Sequence, residues 1–328
     1  MKKIFYLKSN FNRKEQFRIL TTIYKENNHL FVSKKPISKL AINHLSNFIS
    51  SEKKWQKYIG NKGRVVKGKL IDGTIYYKFL NHKTLDTLII DALSNKQLPL
   101  ATQYFLSGIN LIKNLPSRKI NTYPSDKLNQ YLKYFGVPPS PNQQYLDIAN
   151  LDIVTDNLIL DSKNNYYLDC GWLTNFPVEK KFVLYRYCLY SALKYRHLFQ
   201  NYKNLDFSEF AYGELYFPTD WLARAFSSIE IKNDIKNYFL KEENFQAYIH
   251  IAKKKCKYIG CHQVTPKPIL NAYDHLKHLK TSKHFKTWFF IQKVNNKFSY
   301  YLKKYIYLNL ILLLNNKIIS TFSPNEYL

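Results

Sequence analysis

Two carboxylates and one amide flank a predicted β-hairpin near the middle of the chain. Asp152 and Asn157 are five residues apart, and Asp169 follows after two short apolar runs that are separated by the polar segment 161–165. Apolar runs on either side of a cluster of Asp, Ser and Asn are typical of paired strands with a turn. A D-x-x-x-x-N spacing arises by chance in a chain rich in asparagine, but the order of strand, turn, strand and second carboxylate makes chance a weaker explanation.

These residue types suit the transfer of a phosphoryl group. That reaction needs neutralisation of charge more than covalent help, and the oxygens of Asp and Asn are hard ligands for Mg²⁺. Asp152 is predicted to be the carboxylate that receives the hydroxyl proton, and Asn157 and Asp169 are predicted to bind the metal. The pattern therefore predicts ATP and Mg²⁺ as cofactors.

The sequence resembles the protein-kinase-like superfamily at four positions. The catalytic loop of that superfamily reads D-x-x-x-x-N and its metal loop reads D-F-G. Asp152, Asn157, Asp169 and Gly171 match these motifs position by position. The resemblance implies an α+β, two-lobed protein-kinase-like fold and an enzyme that transfers phosphate to an alcohol group.

The details are most similar to bacterial kinases that phosphorylate sugars of lipopolysaccharide or O-antigen chains. In these kinases a D-x-x-P-x-N run precedes a strand that ends in an acidic residue and a tryptophan. Trp172 fits this pattern, whereas Thr155 stands in place of the proline. Asn150 and Leu151 stand where protein kinases carry His-Arg, which argues against a protein kinase proper. The resemblance implies a glycan or glycolipid acceptor in cell-envelope assembly.

An upstream strand and helix offer candidates for binding the nucleotide phosphates. In the alternating segment 30–36, the resemblance places the phosphate-binding lysine at Lys34, although a shift of one residue in register would substitute Lys35. After this strand the chain is predicted to form a long amphipathic helix with Glu52 on its apolar stripe. A buried carboxylate is costly unless it is paired. Glu52 is therefore either the partner of Lys34 or a residue at the helix edge.

The segment 64–80 is predicted to form a hairpin with its Asp-Gly pair as the turn. The resemblance makes Phe79 and Leu80 part of the linker between lobes, whose backbone groups meet the adenine. Thr84 is predicted to cap the helix that follows. The chain would then divide into a small lobe at 1–80, a large catalytic lobe at 81–250 and an extension after that.

The loop between the first two strands lacks the glycines that the resemblance implies. Backbone amides approach phosphates closely only where side chains do not block them, and residues 9–15 contain no glycine. Arg13 and Lys14 are candidates to replace those amides by charge. The alternative is a non-catalytic kinase-like binding module, that is, a pseudokinase.

The C-terminal segment 251–328 is predicted to be a basic, mostly helical extension. The whole chain has a net charge of +27, and this segment holds fourteen lysines against two acidic residues. Such a surface attracts polyanions. It is interpreted as a solvated face, as a surface that docks on anionic membrane or glycolipid, or, with less support from the motifs, as a nucleic-acid-binding surface. The sequence indicates no oligomeric state.

The apolar runs of the chain are too short for a signal peptide or a membrane span. We therefore expect a cytoplasmic protein, either free or peripheral at the inner face of the cell membrane, with reduced cysteines. Cys256, Cys261, His278 and His284 have a spacing that overlaps loose zinc-finger limits. The prolines between them argue against a small metal module, so ordinary thiols and histidines are the preferred interpretation.

Two features near the end of the predicted large lobe complete the pattern. Arg186 lies in an apolar helical stretch, where it either pairs with a carboxylate of the catalytic loop or forms a structural salt bridge, which is the preferred interpretation. The run at 242–246 reads E-x-x-F-Q and resembles a motif of the same group of sugar kinases. The sequence alone assigns this run no chemistry.

Overall fold

The computed structural model describes residues 3–161, 164–200 and 234–251. The predicted basic extension beyond residue 251, together with the cysteines and histidines of the zinc-like spacing, lies outside the described residues. Within the described part, helices and mostly antiparallel sheets form an α+β fold. The α+β prediction is therefore confirmed.

The N-terminal part forms one five-stranded antiparallel sheet. Its strands are β1 (Lys3–Ser9), β2 (Ile19–Glu26), β3 (His29–Pro36), β5 (Lys69–Ile71) and β6 (Thr74–Lys78), in the order β1-β2-β3-β6-β5. Asp72 and Gly73 make the β5–β6 turn with φ values of 47° and 70°. Two successive residues in this left-handed region match a hairpin turn whose twist fits the strands. The predicted Asp-Gly turn is confirmed.

Helix α1 (Ile42–Ile59) joins this sheet to the rest of the protein. Its buried side chains recur at helical spacing, which confirms the predicted amphipathic helix. Leu45 and Phe48 pack against the sheet, whereas Trp55 and Ile59 belong to the larger core formed by the remaining chain. Because one apolar face is shared between two cores, α1 fixes the position of the sheet against that core.

The rest of the described chain packs helices around the larger core. Its helices are α2 (Leu85–Ser94), α3 (Leu98–Lys113), α4 (Ser125–Phe135), α5 (Lys180–Gln200) and α6 (Ile235–Ile249). Thr84 caps α2 as predicted, because its hydroxyl accepts a hydrogen bond from the Thr87 amide at 3.2 Å. Within the three described ranges, no helix has both the length and the apolar character needed to cross a membrane.

Two short sheets complete the described part. One contains β4 (Arg64–Val65), β10 (Asn165–Tyr167) and β9 (Leu158–Leu160), and the other contains β11 (Val178–Glu179), β8 (Gln143–Leu146) and β7 (Arg118–Ile120). Strands β9 and β10 are antiparallel, as the sequence predicts. The assignment of Arg64 and Val65 to the hairpin is wrong. They form β4, which pairs in parallel with β10. The Val66 amide donates to the carbonyl of Tyr167 at 3.0 Å, a partner that lies far away in the sequence.

Candidate active site

Backbone hydrogen bonds join the loop after β8 to the loop after β10. The Leu168 amide donates to the carbonyl of Asn157 at 3.0 Å, and the Leu151 amide donates to the carbonyl of Trp172 at 3.0 Å. Both contacts enclose the hairpin β9–β10 in the sequence. The structure thus brings Asp152, Asn157 and Asp169 together, as their order along the chain indicated.

Asn150 holds the two loops in register, a role that the sequence did not reveal. Its amide nitrogen donates to the carbonyl of Asp169 at 2.8 Å, and its amide oxygen accepts from the Asp152 amide at 3.0 Å. In the sequence, Asn150 stands out only as a departure from the His-Arg of protein kinases. The sequence signal was a polar residue between the apolar Ala149 and Leu151. Such a residue is expected to be buried, and a buried side-chain amide needs hydrogen-bond partners for both its nitrogen and its oxygen.

Lys34 forms an ion pair with Asp169 at 2.5 Å from the ammonium nitrogen to Oδ2. Its ammonium lies over the ring of Phe48, 4.7 Å from the centroid. Lys34 is buried on β3, whereas the adjacent Lys35 is exposed. Of the two lysines, only Lys34 therefore faces the candidate site.

Glu52 is buried on α1, but the expected ion pair with Lys34 is absent between these two described residues. Glu52 Oε1 accepts from the Tyr77 hydroxyl at 2.7 Å, and Oε2 accepts from the Gly68 amide at 2.9 Å. Burial raises the pKa of Glu52, and these hydrogen bonds oppose that shift. Neither alternative for Glu52 is met, because the residue is buried rather than at the helix edge, and each of its oxygens has a neutral partner while Lys34 reaches Asp169.

The surroundings shift the pKa values of Asp152 and Asp169 in opposite directions. Burial, followed by the charge of Asp169, raises the pKa of Asp152 to about 6. Burial alone would raise the pKa of Asp169 too, but the Lys34 ammonium and hydrogen bonds from Lys34 and the Gly171 amide outweigh it and lower that pKa. Two carboxyl groups with separated pKa values are suited to different roles. Asp152 has the higher proton affinity, and Asp169 stays ionised.

Gly171 supports Asp169 in two ways. Its amide donates to Asp169 Oδ1 at 2.9 Å. A side chain at this position would collide with the ring of Phe48 on α1. The glycine of the predicted metal loop is therefore explained by close packing against α1, since any larger residue would push the loop away from Lys34.

The donor set fits Mg²⁺ that is bound together with phosphate oxygens. Asn157 donates through its amide nitrogen to the carbonyl of Asp152 at 3.0 Å, so its own amide oxygen remains available to a cation. Among the described residues, no cluster of three or more His, Cys, Asp or Glu side chains could enclose a metal. Mg²⁺ commonly binds through one or two protein oxygens plus substrate phosphates. Asp169 and Asn157 fit that requirement.

Phe79 and Leu80 are half-buried and lie between β6 and α2 in the sequence, and their role as a linker between lobes stays a prediction. The Phe79 amide donates to the carbonyl of Leu30 at 3.2 Å. That amide is therefore already engaged, and an adenine ring at this position would have to use the Phe79 carbonyl or the backbone groups of Leu80.

The E-x-x-F-Q run lies on α6 and contacts the candidate catalytic loop through Arg186. Glu242 forms a buried ion pair with Arg186 at 2.5 Å and also accepts hydrogen bonds from Tyr190 and Gln246. Arg186 Nε donates to the carbonyl of Leu151, next to Asp152, at 3.0 Å. The structural salt bridge expected for Arg186 is present. The run thus has a positioning role that its sequence did not show.

Thr155, which stands where the resembled kinases carry proline, is held by side chains from α2 and α5. The hydroxyl of Tyr195 lies 2.7 Å from the Thr155 hydroxyl and 2.6 Å from Asp86 Oδ1. Lys194 pairs with Asp86 at 2.8 Å. These hydrogen bonds hold Thr155, which lies between Asp152 and Asn157 in the sequence. They restrain the backbone there, as a proline ring would.

The glycine-free loop, predicted at residues 9–15, connects β1 and β2 at residues 10–18, and it is bound to the end of α6. The Lys14 amide donates to the carbonyl of Ile249 at 2.8 Å, and the Ile251 amide donates to the carbonyl of Asn12 at 3.1 Å. Arg13 forms a β-bridge with His250 between these two bonds. The loop is therefore fixed against the C-terminal end of α6, the helix whose Glu242 binds Arg186.

Comparison with known proteins gives only distant similarity. No protein-family profile and no curated protein matches the sequence. Among solved structures, the chain is similar to a macrolide 2'-phosphotransferase type I, with 10% sequence identity, a TM-score of 0.31 and coverage of 77% of this chain and 93% of that one. It is also similar to choline kinase LicA from Streptococcus pneumoniae, with 14% identity, a TM-score of 0.29 and coverage of 75% and 92%. These scores are too low to indicate an activity for this chain.

Proposed function

We propose that the protein is an ATP- and Mg²⁺-dependent kinase that transfers a phosphoryl group to a hydroxyl. The observation that carries this proposal is the pair Asp152 and Asp169, held side by side with opposite pKa shifts and with Lys34 bonded to Asp169. A base, a metal-binding carboxylate and an ammonium in one site are the groups that phosphoryl transfer requires.

Each residue has a separate role in this mechanism. Asp152 orients the acceptor hydroxyl and receives its proton, since it has the higher pKa of the two carboxyls. Asp169 and Asn157 present oxygens to Mg²⁺, and bound Mg²⁺ supplies charge neutralisation at the phosphates. Lys34 is placed to bind a phosphate oxygen, and Glu52 keeps the sheet in position through Tyr77.

We also propose that the fold is protein-kinase-like, with a small lobe at 1–80 and a large lobe at 81–250. The order of elements supports this proposal: three strands, helix α1, a hairpin, a linker, helices and then the hairpin β9–β10. Lys34 comes from the first part, and Asp152 and Asp169 come from the second. The candidate site would then lie between the lobes.

A hydroxyl of a glycan or glycolipid is the proposed acceptor, and its source is the sequence resemblance in the catalytic loop. The basic segment beyond residue 251 is proposed to dock on an anionic membrane surface or on the phosphorylated acceptor itself. A screen of sugar, lipid-linked sugar and small alcohol acceptors for transfer of labelled phosphate tests this part. Transfer only to acceptors that contain no sugar would contradict it.

A non-catalytic kinase-like binding module is the second candidate function. The observation in its favour is that the loop at 10–18 has no glycine and that some of its backbone groups bond to the chain at the end of α6. This candidate predicts nucleotide binding without turnover. Phosphate transfer to water or to any acceptor in the presence of Mg-ATP would exclude it.

Exchange of Lys34 for methionine tests the site directly. Because the Lys34 ammonium is the cation at Asp169, Lys34→Met is expected to lower Mg-ATP turnover by about 100-fold or more, as removal of one preorganised charge does in other enzymes. The control is Lys35→Met, which removes the same charge from the exposed neighbour and should leave turnover unchanged. Equal effects of the two exchanges would contradict the assignment, and a wild-type protein that binds no Mg-nucleotide would contradict the proposed function.

A further inference from the structure

We propose that Arg13 binds the phosphoryl group during its transfer and so replaces the backbone amides of a glycine-rich loop by a single guanidinium. This inference rests on the proposed phosphotransfer function. It assigns the charge-stabilising role to Arg13 alone, whereas the sequence left Arg13 and Lys14 as equal candidates.

The first argument is that part of the loop backbone is already engaged within the protein. Hydrogen bonds to acceptors within the protein already engage five amides of the loop and the residue after it, namely those of Arg13, Lys14, Phe17, Arg18 and Ile19. A phosphate cradle of the glycine-rich type needs several amides that point at the ligand. Because four of the nine amides of the loop 10–18 are engaged and the loop has no glycine, a side chain is the better candidate for a contact with phosphate.

The second argument is the position of the Arg13 guanidinium. It lies over the ring of Trp172, with 5.7 Å between Cζ and the ring centroid, and Trp172 follows Asp169 by three residues. Its charge acts against the raised pKa of Asp152 and helps to lower the pKa of Asp169. The guanidinium forms no hydrogen bond or ion pair with any residue that the structure describes, so its five donors are available to an anion.

The third argument is that the backbone of Arg13 is held on several sides. Bonds from its neighbours Asn12 and Lys14 fix it to the end of α6, and Arg18 Nε donates to the Arg13 carbonyl at 2.9 Å. A charge that is fixed before the reaction begins need not be reorganised during it, which is the condition for strong electrostatic stabilisation. The anchored backbone and the packing of the guanidinium on Trp172 together restrict where this charge lies before the reaction.

Lys14 lacks these properties. Its ammonium lies over the ring of Tyr248 on α6, 5.8 Å from the centroid. It is not among the main charges that shift the pKa of Asp152 or Asp169. Lys14 thus provides a matched control, because it is the adjacent cation in the same loop with its charge directed elsewhere.

The chemistry of the ligand suits arginine. During transfer the bond between the γ-phosphorus and the β–γ bridging oxygen breaks, a bond from the acceptor oxygen to phosphorus forms, and the acceptor proton passes to Asp152. The three equatorial oxygens carry negative charge throughout. A planar guanidinium can bind two of them at once, which an ammonium cannot do in the same geometry.

The experiment compares binding of Mg-ADP alone with binding of Mg-ADP plus aluminium fluoride, a mimic of the phosphoryl group in transfer. Arg13→Gln is expected to weaken binding of the mimic complex by about 100-fold while changing Mg-ADP affinity little. Arg13→Lys should recover only part of the loss, and Lys14→Gln should match wild type in both measurements. Because each variant's Mg-ADP affinity is measured, misfolding is distinguished from a specific loss.

Two results would overturn the inference, and they differ in meaning. If wild type binds both complexes and Arg13→Gln binds them equally well, Arg13 has no role in transfer and the proposed kinase function remains. An equal loss in Lys14→Gln would likewise show that general loop charge, rather than Arg13, is responsible. If wild type binds no Mg-nucleotide, the kinase function itself fails, and the inference about Arg13 fails with it.

Discussion

Exchange of Asp152 for asparagine is expected to abolish phosphoryl transfer and to leave Mg-ATP binding nearly intact. The carboxylate of Asp152 is the proposed acceptor of the hydroxyl proton, and an amide of the same shape cannot accept that proton. Loss of a general base commonly lowers a rate by about 100- to 10,000-fold. Single-turnover transfer and equilibrium binding of Mg-ATP, measured on the same preparation, separate the two effects.

Asp169→Ala is expected to show the opposite balance. Asp169 is the proposed metal ligand and the partner of Lys34, so its removal should weaken the Mg-nucleotide complex itself and leave the Lys34 ammonium unpaired. Asp156→Asn is the matched control, because Asp156 is an exposed aspartate in the same loop that pairs with Lys194. If Asp152→Asn and Asp169→Ala reduced Mg-ATP binding equally, the division of roles between the two carboxylates would be wrong.

Local patterns in the sequence were sufficient for the elements that form from neighbouring residues. The apolar stripe of α1, the Asp-Gly turn and the Thr84 cap depend on residues within a few positions of one another, and all three are present. The clustering of Asp152, Asn157 and Asp169 was also predictable. It depends on one hairpin of two short strands whose ends are marked in the sequence.

Contacts over long sequence distances were not predictable from these patterns. The stripe on α1 showed that Glu52 is buried, but its partners are an amide at Gly68 and a hydroxyl at Tyr77, and the choice between these and Lys34 depends on how the sheet packs against α1. The parallel pairing of β4 with β10 joins residues about one hundred positions apart. Periodicity within one segment contains no information on such a partner.

The same limit explains why the role of the run at 242–246 was missed. Glu242 acts through Arg186 on the Leu151 carbonyl, so its function is visible only when α5, α6 and the catalytic loop are seen together. Phe245 contacts both Trp172, at 5.5 Å between ring centroids, and the Arg186 guanidinium, at 4.7 Å. These side chains link the proposed catalytic loop, the proposed metal loop and α6 in one buried cluster.

Exchange of Glu242 for glutamine is expected to be among the most destabilising single substitutions in the described chain. The side chains of Arg186 and Glu242 are only 4% and 0% exposed. Glutamine keeps the shape of the side chain but removes the charge that pairs directly with the buried guanidinium. Removal of one partner from a buried ion pair typically costs about 3 to 5 kcal/mol of unfolding free energy. Urea denaturation followed by tryptophan fluorescence measures this loss.

Two further variants show whether the buried charge is the cause. Asp91→Asn removes the acid of an exposed ion pair with Lys83 and should leave the urea midpoint nearly unchanged, since exposed pairs contribute little. The double variant Arg186→Met, Glu242→Leu removes both charges and should recover much of the stability lost in Glu242→Gln, because no buried charge remains. It should still transfer phosphate poorly, since the Leu151 carbonyl loses its donor next to Asp152. A wild-type midpoint in Glu242→Gln, or full activity in the double variant, would show that the ion pair does not position the catalytic loop.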